Sequence, residues 1–134
     1  MGRVFFDIRK RIINVDAAYT VKTGDSGSIF MINQGSGYAI DLPNAADAQE
    51  GWYAKFVIGT VAAAAVTIEA TDSDGDNMYF QCHSLDGTDR QTAGADVLTF
   101  INGAEKGDMV DIYTDGTSWY INGWVADDGH LTCA

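Results

Sequence analysis

The chain has 134 residues, 46% apolar and 20% charged, which suits one soluble globular domain that folds without disulfides or metal. Its net charge of −11 and pI near 4.2 argue against gripping nucleic acid through phosphates and against docking on an anionic membrane. The charge is lopsided: Arg3, Arg9, Lys10 and Arg11 stand against Asp7 alone in the first eleven positions (+3), and the other four bases face eighteen acids (−14).

This asymmetry divides the chain into a basic arm, 1–17, and a β-rich domain, 18–134. In the arm, Phe5, Ile8, Ile12 and Val15 recur at helical steps, whereas Phe6 and Ile8 alternate with Asp7 and Arg9 as in a strand. Both readings stand. Val4, Phe5 and Phe6 are too short an apolar run for a secretory leader, and 57–68 is too short to span a membrane. Two cysteines, Cys82 and Cys133, make no disulfide framework and fit assembly in a reducing cytoplasm, with one bridge between them left open.

The domain is punctuated by glycine, fifteen against one proline. Asp74-Gly75, Asp86-Gly87, Asn102-Gly103, Asp115-Gly116, Asn122-Gly123 and Asp128-Gly129 read as tight turns. Between them lie runs of β-formers. The predicted strands are 18–23, 28–33 (after a turn at 24–27), 38–42, 52–59, 65–70, 77–83, 97–101, 108–114 and 118–125. In 108–114, Val110 and Ile112 point one way and Met109, Asp111 and Tyr113 the other. One helical turn is expected at 44–49, capped by Asn44. The expectation is an all-β fold: a small sandwich or jelly-roll-like barrel of about eight to nine antiparallel strands with an N-terminal arm.

Motifs that carry chemistry are weak. Gly24-Asp25-Ser26-Gly27-Ser28 resembles the nucleophile loop of chymotrypsin-like proteases, but both histidines, His83 and His130, follow the serine instead of preceding it. Asp72, Asp74 and Asp76 alternate as in a calcium loop but lack the distal glutamate of an EF-hand. Cys82 and His83 point to opposite faces of a strand, and His130 and Cys133 lie in a tail expected to be loose, so a zinc site is not expected. Trp52, Trp119, Trp124, Tyr53, Tyr113 and Tyr120 are expected mostly in the core, with one or two at an interface.

Two stretches resemble segments of tailed-phage virion proteins. The first is 19–59, from Tyr19-Thr20-Val21-Lys22-Thr23-Gly24-Asp25-Ser26-Gly27 through Ile40-Asp41-Leu42-Pro43 to Gly51-Trp52-Tyr53-Ala54-Lys55-Phe56-Val57. The second, 107–123, resembles a Gly-Asp-x-Val-x-Ile-x-x-Asp-Gly-Thr-x-Trp-Tyr-x-x-Gly hairpin of head decoration and tail fibre domains. The resemblance implies a non-enzymatic decoration (cement) protein on the outer head surface of the virion, assembled in the host cytoplasm without cofactors. Its partners would be the major capsid protein and further copies of itself, as a trimer, with no nucleic acid, membrane or metal. Phe5, Phe6, Ile8, Arg9, Lys10 and Arg11 would contact the capsid or a neighbouring subunit. The alternative is a tail fibre or receptor-binding tip that recognises host glycans.

Overall fold

The computed structural model describes residues 9–33, 36–70 and 77–134. These form the strands β1 (Ile12–Val15), β2 (Tyr19–Thr20), β3 (Ile29–Ile32), β4 (Tyr38–Asp41), β5 (Tyr53–Ile58), β6 (Val66–Glu69), β7 (Met78–Ser84), β8 (Arg90–Ala95), β9 (Val97–Phe100), β10 (Met109–Thr114), β11 (Trp119–Val125) and β12 (Leu131–Cys133). A helical turn, α1 (Ala45–Ala48), follows Asn44, and single 3-10 turns lie at Thr23–Asp25 and Asp128–His130. The protein is all-β, and every segment expected as a strand falls on one.

Local alternation explains why. In β5, Ala54, Phe56 and Ile58 are buried while Tyr53, Lys55 and Val57 face outward. The same two-residue period buries Met78, Phe80 and Cys82 of β7 and Val110, Ile112 and Thr114 of β10. Each fully buried Phe or Ile contributes about 1.5–3 kcal/mol relative to exposure.

The strands form a seven-stranded sheet, ordered β1-β3-β5-β10-β11-β7-β8, and a five-stranded sheet, ordered β12-β9-β6-β4-β2. Both contribute to one buried cluster. Tyr19 of the smaller sheet meets Phe30 of the larger edge-on at 5.6 Å, and Phe30 stacks on Phe56 at 4.7 Å.

The antiparallel arrangement expected from the sequence is corrected. Five of the ten strand pairings among the described residues are parallel: β1 with β3, β3 with β5, β2 with β4, β4 with β6, and β7 with β11. From β1 to β7, successive strands alternate between the two sheets, so same-sheet neighbours are two strands apart in sequence and run in the same direction. The turn at 24–27 is therefore a crossing from one sheet to the other, not a hairpin.

Three strands were not legible in the sequence. β1 lies inside the span read as an arm and pairs with β3, so residues 12–15 are extended, not helical. β8 is an exposed, polar edge paired with β7. β12 pairs with β9, so the tail expected to be loose is part of the smaller sheet.

Asn122-Gly123, expected as a turn, lies in the middle of β11. A Cβ at Gly123 would come within 2.8 Å of Leu131 Cδ2 and 3.2 Å of Cys82 Sγ. The glycine is there to let β12 approach the larger sheet. Cys82 and Cys133 are both free, which closes the open question of a bridge. Burial pushes both thiols up to about 11.

The expected hairpin does form between β10 and β11, with Thr114 opposite Trp119. Asp115 Oδ1 accepts from the backbone N–H of Thr117 (2.9 Å) and Ser118 (2.8 Å), and Gly116 turns at φ 92°. Trp119 is fully buried and meets Trp52 edge-on at 5.5 Å.

Candidate binding face

The outward-facing residues of the larger sheet fall into rows set by strand register. Tyr53, Tyr113, Tyr120 and Tyr79 are successive cross-strand partners on β5, β10, β11 and β7. Tyr113 stacks on Tyr120 at 5.3 Å and Tyr120 on Tyr79 at 5.7 Å, with ring planes within 21° of parallel. Tyr79 and Tyr113 are 45% and 44% exposed. The neighbouring row is polar: Lys55, Asp111, Asn122, Gln81 and Gln91. A third runs Val57, Met109, Trp124 and His83.

Hydrogen bonds hold the tyrosine row in place. Tyr53 Oη donates to Asp111 Oδ1 (3.1 Å), whose carboxylate also faces Lys55 Nζ at 3.7 Å. Tyr120 Oη donates to Asp115 Oδ2 (3.0 Å), so the turn of the hairpin fixes the middle ring.

The basic segment enters at the other side of the sheet. Lys10 Nζ lies 5.3 Å from the centre of the Tyr53 ring, within cation–π range. The Arg11 guanidinium pairs with Asp25, which is buried. The same carboxylate accepts from Tyr19 Oη (3.1 Å) and the Lys22 N–H (2.9 Å), so the protease-like Gly-Asp-Ser-Gly segment is a structural lock. Arg9 is exposed, and Phe5, Phe6 and Ile8 lie outside the described residues.

The aromatic residues divide by strand phase. Trp52 and Trp119 are core, as expected, but Tyr53, Tyr113, Tyr120 and Trp124 share one outer face. Tyr79 was missed altogether. Its outward phase was readable from the Met78, Phe80 and Cys82 alternation, but its membership of the row required the register with β11.

Other titratable groups lie away from this face or beside it. Asp108, buried, accepts from the N–H groups of Glu105 (2.8 Å) and Ala126 (2.9 Å) and lies 2.8 Å from His130 Nδ1, which joins the β9–β10 loop to the β11–β12 connection. Carboxylate oxygens of Asp86, Asp127 and Asp128 gather within 4.8 Å, and Arg90 pairs with Asp128 at 2.7 Å. Asp72, Asp74 and Asp76 lie outside the described residues. Cys82 points into the core and His83 outward, where it faces Asp89 at 3.3 Å.

Two exposed aspartates sit below the usual carboxylate range. Hydrogen bonds from the Ser84 hydroxyl and the Thr88 and Asp128 N–H groups bring Asp86 to about 2. Those from Ser118, Thr117 and Tyr120 lower Asp115. A folded value below the unfolded 3.8 means that stability from these turns is present above pH 4 and is lost as pH falls toward 2. The expected result is that Asp86→Asn melts below the parent at pH 6 and that the gap closes near pH 2. A gap of constant size across that range in thermal melts would rule the linkage out.

Comparison of the chain with protein-family models, with curated proteins and with solved structures gives no match.

Proposed function

We propose that the protein is a non-enzymatic decoration protein of a tailed-phage virion, bound to the outer head surface and stabilising the shell. The observation that supports this reading is the anchored root of the basic segment. β1 joins the sheet edge, Arg11 locks to Asp25, and Lys10 lies over Tyr53, so a positively charged leader leaves an acidic body from a fixed place. The two sheets, read as a sandwich, give it a rigid base. On this reading Arg11 holds the root, and Phe5, Phe6, Ile8, Arg9 and Lys10 contact the major capsid protein or a neighbouring copy in a trimer. Binding the assembled shell and not its free subunits stabilises the shell by mass action.

Imaging undecorated heads mixed with the purified protein tests this. Ordered density at regular lattice sites is expected. The pair Phe5→Asp and Phe6→Asp is expected to lower occupancy at least tenfold with an unchanged β-sheet spectrum. Empty lattice sites with the parent protein would end the reading, and full occupancy by the variant would remove the leader from it. A second reading, a fibre-tip module recognising host glycans, is favoured by the tyrosine row. It predicts binding to host cell surfaces with no affinity for heads.

A further inference from the structure

We propose that the outer face of the larger sheet, at its β7–β8 end, binds a neutral glycan. Tyr113, Tyr120 and Tyr79 line one side of a surface hollow of about 150 Å3, and Asn122, Gln81 and Gln91 line the other. The hollow is smaller than the roughly 300–1,000 Å3 of pockets that enclose a small molecule. It suits one ring of a longer polymer lying across an open surface.

The side chains select the chemistry. The amides of Asn122, Gln81 and Gln91 face outward on three adjacent strands, and none has an intramolecular hydrogen bond among the described residues. Each presents a donor and an acceptor in one plane, which matches neighbouring hydroxyls of a sugar. The Tyr79 and Tyr113 hydroxyls are likewise without a partner among the described residues. The tyrosines stack on one another at 5.3 and 5.7 Å, so the row turns apolar ring edges toward C–H groups and carries hydroxyls at its tips.

Charge excludes the other polymers. None of the six side chains is charged, and Asp111, the cross-strand neighbour of Asn122 in the polar row, is balanced by Lys55 at 3.7 Å. Acidic glycans and nucleic acids meet a chain of net charge −11 and no basic groove along this row. A protein partner would favour an apolar centre ringed by polar groups, whereas here the amides occupy the hollow itself.

The inference does not rest on where in the virion the protein sits, and its failure would leave the head-binding experiment untouched. The test is native affinity electrophoresis of the full chain in gels cast with soluble β-1,3-glucan, mannan, galactomannan or dextran. At least one of these is expected to retard the protein, and alginate, an acidic control, is not. Gln81→Ala with Gln91→Ala, both on exposed strand positions, is expected to weaken the retardation at least tenfold. Tyr79→Ala is expected to weaken it similarly, and Tyr79→Phe much less. Three results would overturn the proposal: mobility unchanged by all four neutral polysaccharides, retardation that survives the double glutamine substitution, or a preference for alginate. A sugar-free oligomer that the glutamine substitutions dissociate, seen by sedimentation velocity, would assign the face to a second copy instead.

Discussion

Gly123→Val is expected to destabilise the protein by about 3 kcal/mol, and Gly123→Ala by about 1–2 kcal/mol. In an ordinary strand either change would help, because β-branched and larger residues pack a pleated surface better than glycine. Here the added Cβ would stand 2.8 Å from Leu131 Cδ2 and 3.2 Å from Cys82 Sγ, distances that force one of them to move. Leu131 is fully buried and belongs to the opposite sheet, so moving it disturbs the contact between the sheets. For a domain of this size, 3 kcal/mol corresponds to a fall in Tm of roughly 10 °C. The mechanism predicts coupling. Leu131→Ala alone costs about 2–4 kcal/mol through the cavity it leaves, but combined with Gly123→Val the loss should be clearly less than the sum. Additive losses in urea denaturation would show that the two residues do not compete for the same space.

Asp25→Ala is expected to cost roughly 2–4 kcal/mol and to loosen β1 selectively. The buried carboxylate holds three groups at once: the Arg11 guanidinium, the Tyr19 hydroxyl and the Lys22 N–H. Its removal leaves the Tyr19 hydroxyl and the Lys22 N–H without the acceptor they share. Arg11→Ala should cost less, about 1 kcal/mol, because the guanidinium end is largely exposed and screened. Among the described residues β1 is an edge strand with one hydrogen-bonded neighbour, so the loss should appear there first. Amide hydrogen exchange is the direct readout. In Asp25→Ala, residues 12–15 are expected to exchange faster by at least tenfold while β10 and β11 keep their protection. Uniform loss of protection across both sheets would mean that Asp25 supports the whole core and not the root of the leader. If the leader attaches the protein to a shell, the same variant should also bind heads less well at temperatures where its body remains folded.

The sequence by itself determined nine of the twelve strands among the described residues and, where they alternate, which of their positions turn inward. Alternation within a strand is a local signal, and Val110 and Ile112 declare their inward phase without reference to any other segment. The hairpin 109–125 was legible for the same reason, since Asp115-Gly116 turns the chain within hydrogen-bonding reach of its own flanks. Strand direction was not legible. Glycine-rich turns such as 24–27 look alike whether the chain doubles back in one sheet or crosses to the other, and only packing of Tyr19 on Phe30 across the core tells them apart. Asn122-Gly123 misled because its glycine answers to Leu131, a residue that its own surroundings do not reveal. β8 escaped because Arg90–Ala95 is a largely exposed edge strand in which Ala95 alone is buried, so it shows no apolar alternation. The tyrosine row belongs wholly to the tertiary structure. Tyr53, Tyr79, Tyr113 and Tyr120 come from four strands spread over 68 positions, and a one-residue slip in any pairing would send a ring to the core side and break the row.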